Sequence, residues 1–254
     1  MNIIKINNLN KSFGGLHAVN NVCFEVKKNQ IKAVIGPNGA GKTTLFNLIS
    51  GNIDSDSGEI LYKDSFIHTL PSYKIAERGI SRTFQTVKLF SNMNVLENIM
   101  VGRHVKSKSG FFTALLNLPW SWKEEKSILN KSMETLNLLG ISDLAHEDVD
   151  NLPFGQQRKV EFARALAAEP ELLLLDEPAA GLNIYETAEI AEMISKIREW
   201  GITILIIEHD MSLIMDISDE IVVLSSGIKI AEGKPEEIQR NKDVISVYLG
   251  EGDA

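Results

Sequence analysis

The stretch Gly36-Pro37-Asn38-Gly39-Ala40-Gly41-Lys42-Thr43-Thr44 fits the pattern G-x-x-x-x-G-K-[ST], whose chemistry is phosphate binding. Glycines let the backbone curl so that successive N–H groups converge on phosphate oxygens. The Lys42 ammonium suits the β and γ phosphates of a nucleoside triphosphate, and the Thr43 hydroxyl suits Mg²⁺. Ile31-Lys32-Ala33-Val34-Ile35 reads as a strand entering the loop, and Leu45-Phe46-Asn47-Leu48-Ile49 continues a helix out of it. The positive end of that helix then lies beneath the phosphates. A second constellation closes an apolar run: Leu172 to Leu175, then Asp176, Glu177 and Pro178. A buried strand ending in two acids sets them at the carboxyl edge of a sheet, where α/β folds bind ligands. There Asp176 suits Mg²⁺, held through water, and Glu177 suits a general base that polarises an attacking water.

The rest of the chain has to position these groups. Its 254 residues, 44% hydrophobic and 24% charged, allow one large α/β domain or a core with a subdomain. From Ile3 to Ile31 the pattern alternates in what read as short strands, broken at Gly14-Gly15 and at Lys27-Lys28-Asn29-Gln30. Ser57 to Tyr62 reads as a turn and a further strand, so an antiparallel sheet is expected beside the phosphate site. After residue 85 the character changes. Asn94 followed by Glu97 is a helix-start signal, and the pattern stays mostly helical to about Leu139, with aromatics concentrated between Phe111 and Trp122. From Glu171 onward strands and helices alternate, with a second continuous apolar run at Ile202 to Ile207 and a helix from about Tyr185 to Trp200. The expected fold is α/β. It has a P-loop nucleoside triphosphatase (RecA-like) core, an N-terminal antiparallel β subdomain and a helical insertion. Core and β subdomain take about residues 1–87 and 151–254, and the insertion about 88–150.

The net charge of −8 argues against a general affinity for nucleic acid or anionic lipid, since both need a basic face. Cys23 is the only cysteine, which excludes an internal disulfide framework and fits a reducing compartment. Met1 to Leu9 lacks the apolar core of a signal peptide, and the apolar runs are too short to cross a bilayer. Work at a membrane would therefore require docking on a partner.

With both constellations in place, the chain resembles the ATP-binding subunits of ABC transporters over nearly its whole length. Phe13, in Lys11-Ser12-Phe13-Gly14-Gly15, sits where that family stacks an aromatic ring on adenine. Gln85, in Arg82-Thr83-Phe84-Gln85, matches the glutamine that contacts Mg²⁺ and the water and senses the transmembrane partner. Leu152-Pro153-Phe154-Gly155-Gln156 matches the signature motif that closes over the γ-phosphate of the opposite subunit. Gly181-Leu182-Asn183 occupies the loop that bridges the two subunits, and His209 matches the histidine that touches the γ-phosphate. Two positions depart from the family pattern. Pro153 stands where the signature usually has a serine, whose hydroxyl donates to the γ-phosphate, and Asn183 stands where aspartate is common. From these departures the site built from this chain's signature is expected to be weakened relative to its sister site.

A narrower resemblance rests on Ser12 to Val19, Gly79 to Gln85, Leu89 to Met93, Glu177 to Asn183 and Glu208 to Met211. These strings look like one of the two ATPases of branched-chain amino acid importers. Related urea and short-amide importers use similar ATPases and stay open as alternatives. The resemblance implies ATP and Mg²⁺ as ligands and a peripheral position on the cytoplasmic side of the inner membrane. It also implies a second, different ATPase (or a second copy when isolated), two transmembrane permeases and, indirectly, an extracytoplasmic solute-binding protein. Phe111 to Trp122 is a candidate for the permease-docking face. Two rival classes fit less well. A P-loop kinase of small molecules would need an acceptor pocket and a lid and would not need the Gly155-Gln156-Gln157 helix start. A soluble ABC ATPase acting on DNA or ribosomes would usually carry two fused cassettes or a long coiled coil, neither of which this chain has.

Overall fold

The computed structural model describes residues 1–106 and 119–249. The aromatic-rich stretch proposed for docking falls outside the described side chains. Two 12-residue strands, β1 (Asn2–Phe13) and β2 (Leu16–Lys27), form an antiparallel hairpin where the sequence suggests shorter pieces. Their register shifts four times, and Asn8 and Asn21 sit at φ 46° and 51°. Bulges of this kind break the two-residue alternation, so one long strand reads as fragments. β4 (Ser57–Tyr62) pairs antiparallel with β1 and β5 (Ser65–Phe66) with β4, giving the order β2-β1-β4-β5; β3 belongs to the second sheet.

That sheet joins β3 (Ile31–Ile35), β6 (Ile80–Arg82), β7 (Leu172–Asp176), β8 (Thr203–Ile207), β9 (Glu220–Ser225) and β10 (Ile228–Gly233) in the order β10-β9-β3-β8-β7-β6. All its pairings are parallel except β9 with β10. Every residue of β3, β7 and β8 is buried, because both faces of the sheet are covered. One face packs on α1 (Lys42–Ile49), α2 (Ser72–Glu77) and the antiparallel sheet through Leu45, Phe46, Ile75, Ile4, Ile60 and Leu174. The opposite face packs on α5 (Phe154–Ala167), α6 (Ile184–Glu199) and α7 (Met211–Ile217) through Phe162, Ile190, Ile194 and Leu213.

A third apolar core lies among α3 (Val95–Arg103), α4 (Pro119–Leu138) and α5, built from Val95, Ile99, Leu136, Val149, Val160 and Ala163. α5 therefore contributes to two cores, with Phe162 facing the sheet and Val160 and Ala163 facing the helices. Asn94 starts α3 with the capping box read from the sequence, its side chain accepting from the Glu97 N–H at 2.9 Å.

One charge interrupts the apolar strand β3. Lys32 is 1% exposed, and its ammonium reaches the Glu25 carbonyl at 2.7 Å, Glu220 at 3.0 Å and the Glu232 carboxylate. It pins β2, β9 and β10 to β3. Burial alone would raise the Glu220 carboxyl, but hydrogen bonds from Lys27, Lys32 and Gln30 outweigh it and hold the group at about 2. A depressed carboxyl stabilises the fold above its ordinary range and loses that contribution as pH falls toward 2.

The order β3-β8-β7 lays three carboxyl ends side by side. The phosphate loop leaves β3, Asp176 ends β7 with Glu177 next, and Glu208 and His209 follow β8. Chain segments far apart in sequence thus meet at one sheet edge.

Candidate active site

The loop between β3 and α1 is shaped by close packing. Gly41 has φ 99°, and a Cβ there would fall 2.1 Å from the Ala18 carbonyl oxygen, so β2 rests directly on the loop. Only glycine satisfies both demands. The Lys42 ammonium folds back onto the Gly36 and Pro37 carbonyls at 2.6 and 2.8 Å. α1 starts without a side-chain cap and without an acid in its first turn, which leaves its N-terminus suited to an anion.

The loop forms one wall of a cavity of about 550 Å³. Phe13, Leu16 and His17 line one end, Asn38 to Thr44 the wall, and Gln85, Glu177 and His209 the other end. Phe13 is 49% exposed and Leu16 71%, which offers an apolar platform for a flat ring. Leu16 and His17 were not singled out from the sequence, although a leucine just beyond a Gly-Gly turn was the available signal.

At the far end, Glu177 is a hub. Gln85 Nε2 donates to its Oε2 at 2.6 Å, and His209 Nε2 lies 2.8 Å from its Oε1. With the Gln85 amide nitrogen on the carboxylate, its oxygen is the end offered to a cation. Glu177 has φ 49°, uncommon for a residue with a side chain, and its N–H donates to the Ile207 carbonyl at 2.9 Å. That bond ties a strained backbone to the next strand. Thr43 and Gln85 line the cavity, while Asp176 lies outside the lining residues with its carboxylate bonded to Arg82. Hydroxyl, amide oxygen and carboxylate are the hard donors that Mg²⁺ takes.

Three supporting groups escaped the sequence reading. Asp176 is 2% exposed and ion-paired to Arg82 at 2.8 Å. Glu208, 3% exposed, accepts the Ala179 N–H at 2.7 Å and the His209 N–H at 2.9 Å, fastening the stretch after Glu177 to the start of the His209 loop. Burial raises the Glu208 carboxyl, against the pull of those N–H donors. Arg158 and Glu161 form a fully buried pair on α5. Arg158 donates to the carbonyls of Phe84 and Gln85, both at 3.0 Å, and Glu161 accepts the Phe84 N–H at 3.3 Å. α5 therefore grips the backbone that carries Gln85. Burial raises the Glu161 carboxyl, opposed by the charge of Arg158.

The remaining motif residues lie elsewhere. Leu152, Pro153, Phe154, Gly155 and Gln156 open α5, and Gly181, Leu182 and Asn183 precede α6; none of them lines the phosphate cavity. They adjoin each other. A Cβ on Gly181 would fall 3.3 Å from the Phe154 ring, and one on Gly155 would fall 2.6 Å from a Glu186 carboxylate oxygen. Pro153 is the N-cap of α5, with φ −55° and ψ 150°, and provides no side-chain cap. Asn183 caps α6, its side chain accepting from Tyr185 and Glu186 N–H groups at 2.9 and 3.1 Å. Phe154, Ile184 and Tyr185 are exposed around this corner.

Residues 19–180, from β2 through the phosphate loop to the segment after Glu177, match the ABC transporter family. The chain belongs to the ABC transporter family. Residues 229–254 of this ABC protein further match the family of branched-chain amino acid ATP-binding cassette transporters. It is 45% identical to the high-affinity branched-chain amino acid transport ATP-binding protein LivG of Escherichia coli K12 over 250 residues, 98% of each chain. It is 42% identical to the corresponding protein BraF of Pseudomonas aeruginosa over 250 residues, again 98% of each. The crystal structure of an ATP-binding cassette of an ABC transporter in its ADP conformation superimposes with a TM-score of 0.86 at 32% identity, covering 98% of this chain and 99% of that one.

Proposed function

We propose that this chain is the ATP-hydrolysing subunit of an ABC importer for branched-chain amino acids. The convergence of Gln85, Glu177 and His209 at the end of the phosphate-loop cavity carries the reading. Likeness to LivG and BraF over 98% of the chain supports the solute class.

The geometry orders the work of the residues. Phe13 and Leu16 receive the base, and Gly36 to Thr44 with Lys42 receive the triphosphate. The γ-phosphate then lies toward Glu177 and His209. Thr43, Asp176 and Gln85 would hold Mg²⁺, which when bound neutralises phosphate charge. Glu177 accepts a proton from the attacking water, while Gln85 and His209 fix the carboxylate that does so. The signature residues, remote from this chain's own loop, complete the site of a second ATPase, and that subunit's signature completes this one. ATP then closes the pair and hydrolysis lets it open.

Two permeases and an extracytoplasmic solute-binding protein complete the assembly, and solute choice resides in them. Among the described residues no helix is long and apolar enough to cross a membrane; in this reading the chain docks on its permeases from the cytoplasmic face. The helices α3 and α4, packed on α5 and through it gripped to the Gln85 backbone, act as the unit that relays motion to the permeases. An open groove of about 630 Å³ beside that backbone, lined by Phe84, Leu89, Phe90, Val101 and Val105, offers them an apolar seat.

Pro153 supplies no hydroxyl to the partner's γ-phosphate, so Pro153→Ser should strengthen the composite site. Titration of ATP and turnover in the assembled complex would show tighter binding or faster hydrolysis; no change in either would dismiss the weakened-site idea. The solute class is tested by uptake in cells lacking the chain. Wild type should restore uptake of labelled leucine, isoleucine and valine, and Glu177→Gln should not. Restored uptake of urea in place of these amino acids would contradict it.

A further inference from the structure

Arg82 ends the edge strand β6 (Ile80–Arg82), and its side chain is 7% exposed. Both terminal nitrogens of its guanidinium are bonded. Nη2 donates to Asp176 Oδ2 at 2.8 Å, and Nη1 donates to Asn47 Oδ1 at 2.7 Å and Ser50 Oγ at 2.9 Å. The rings of Phe46 and Phe84 lie 5.7 and 5.2 Å from its central carbon. Nε alone of the three guanidinium nitrogens is buried without a hydrogen-bond partner.

The positions of its partners give the arrangement meaning. Thr43, Asn47 and Ser50 lie four and three residues apart along α1 and its C-cap, so they share one face of the helix. Thr43 is the hydroxyl donor and Asp176 the carboxylate donor of the Mg²⁺ site. Arg82 spans from the lower turns of that face to the carboxylate. We propose that Arg82 is a positioning residue that sets the separation between Thr43 and Asp176 and thereby the affinity of the nucleotide site for its divalent cation. The inference rests on the Mg²⁺ reading given above. The guanidinium fork is what makes this possible, since one planar group bonds helix and strand at once in fixed directions. Asp176 is otherwise a buried carboxylate at the end of a strand, free to choose another rotamer once its partner is gone.

The test uses purified full-length wild type, Arg82→Met and Arg82→Lys. Binding of a fluorescent ATP analogue is measured in EDTA and again with added divalent cation. Mn²⁺ binding to the nucleotide-loaded protein is followed by electron paramagnetic resonance, and half-saturating Mg²⁺ is measured for hydrolysis. For Arg82→Met, nucleotide affinity in EDTA should be unchanged, while Mn²⁺ affinity falls about 10- to 100-fold, the usual range for loss of a group behind a metal ligand. Half-saturating Mg²⁺ should rise in parallel. Arg82→Lys, which restores charge but not the fork, should recover part of the loss. If Arg82→Met does not fold, Asn47→Ala combined with Ser50→Ala leaves the Arg82–Asp176 pair and removes its anchor on α1, and should weaken Mn²⁺ binding by less.

Equal losses with and without the cation would make Arg82 a support of the phosphate loop and overturn the inference. Unchanged Mn²⁺ affinity would also overturn it. Tighter Mn²⁺ binding would do so too, by making Arg82 a competitor of the cation. A wild-type protein whose nucleotide binding and hydrolysis ignore divalent cations would sink the Mg²⁺ reading itself, and the inference with it.

Discussion

Glu177→Gln should cut ATP turnover about 100-fold or more, the scale of a lost general base, while ATP still binds. The substitution keeps the volume and removes the ability to take a proton. It also disturbs the hub, because Glu177 accepts from Gln85 Nε2 and lies against His209 Nε2, and a glutamine amide offers only one acceptor oxygen to two donors. Phosphate contacts are left alone. They belong to the loop from Gly36 to Thr44 and to the start of α1, which do not depend on Glu177 for their shape. The check is steady-state turnover beside binding of a fluorescent ATP analogue. Hydrolysis retained at near the wild-type rate would remove Glu177 from the role. Loss of binding together with turnover would make it structural.

The second large effect concerns stability. Arg158→Met should destabilise the protein by about 3–5 kcal/mol, the usual cost of removing one member of a buried ion pair. Arg158 is fully buried and satisfies the Glu161 carboxylate and the carbonyls of Phe84 and Gln85. Methionine fills the space and leaves all three without that donor. For a chain of this size the expected drop in melting temperature is on the order of 10 °C. Adding Glu161→Leu should return part of the loss, because an apolar pair no longer strands a charge. Thermal and denaturant unfolding of the two variants would show it. Single and double variants that melt with the wild type would mean that α5 does not grip the Gln85 backbone as described. At permissive temperature Arg158→Met should also lower turnover more than ATP binding, because it frees the segment that carries Gln85.

The phosphate loop and the Asp176-Glu177 pair are legible in the sequence because their groups are consecutive, framed by a strand and a helix that periodicity reveals. The capping box of Asn94 and Glu97 is legible for the same reason: the physics is local. Arg82 is not, since its partner Asp176 is 94 residues away and the pair exists only once β6 lies beside β7. Arg158 closes the signature string and Glu161 follows one turn later, and nothing local marks them as a buried pair. Only the packing of α5 against Phe84 and Gln85 shows that neither meets solvent. The role of Glu208 depends on backbone donors from two loops, which its place beside His209 in the sequence does not reveal. β1 and β2 looked fragmentary because bulges at asparagines disguise their length. Asn183 carries two readings at once. Its place in the bridging loop comes from resemblance, and its cap on α6 comes from the Asn183 and Glu186 spacing, which the structure turns into paired hydrogen bonds.

The most direct test of the central claim is affinity purification of the tagged chain from detergent-solubilised native membranes, with its companions identified by mass spectrometry. The account predicts two polytopic permeases and a second, different ABC ATPase, in an assembly whose solute-binding protein takes branched-chain amino acids. Ribosomal or DNA-bound companions, or a chain recovered with no membrane protein at all, would contradict it.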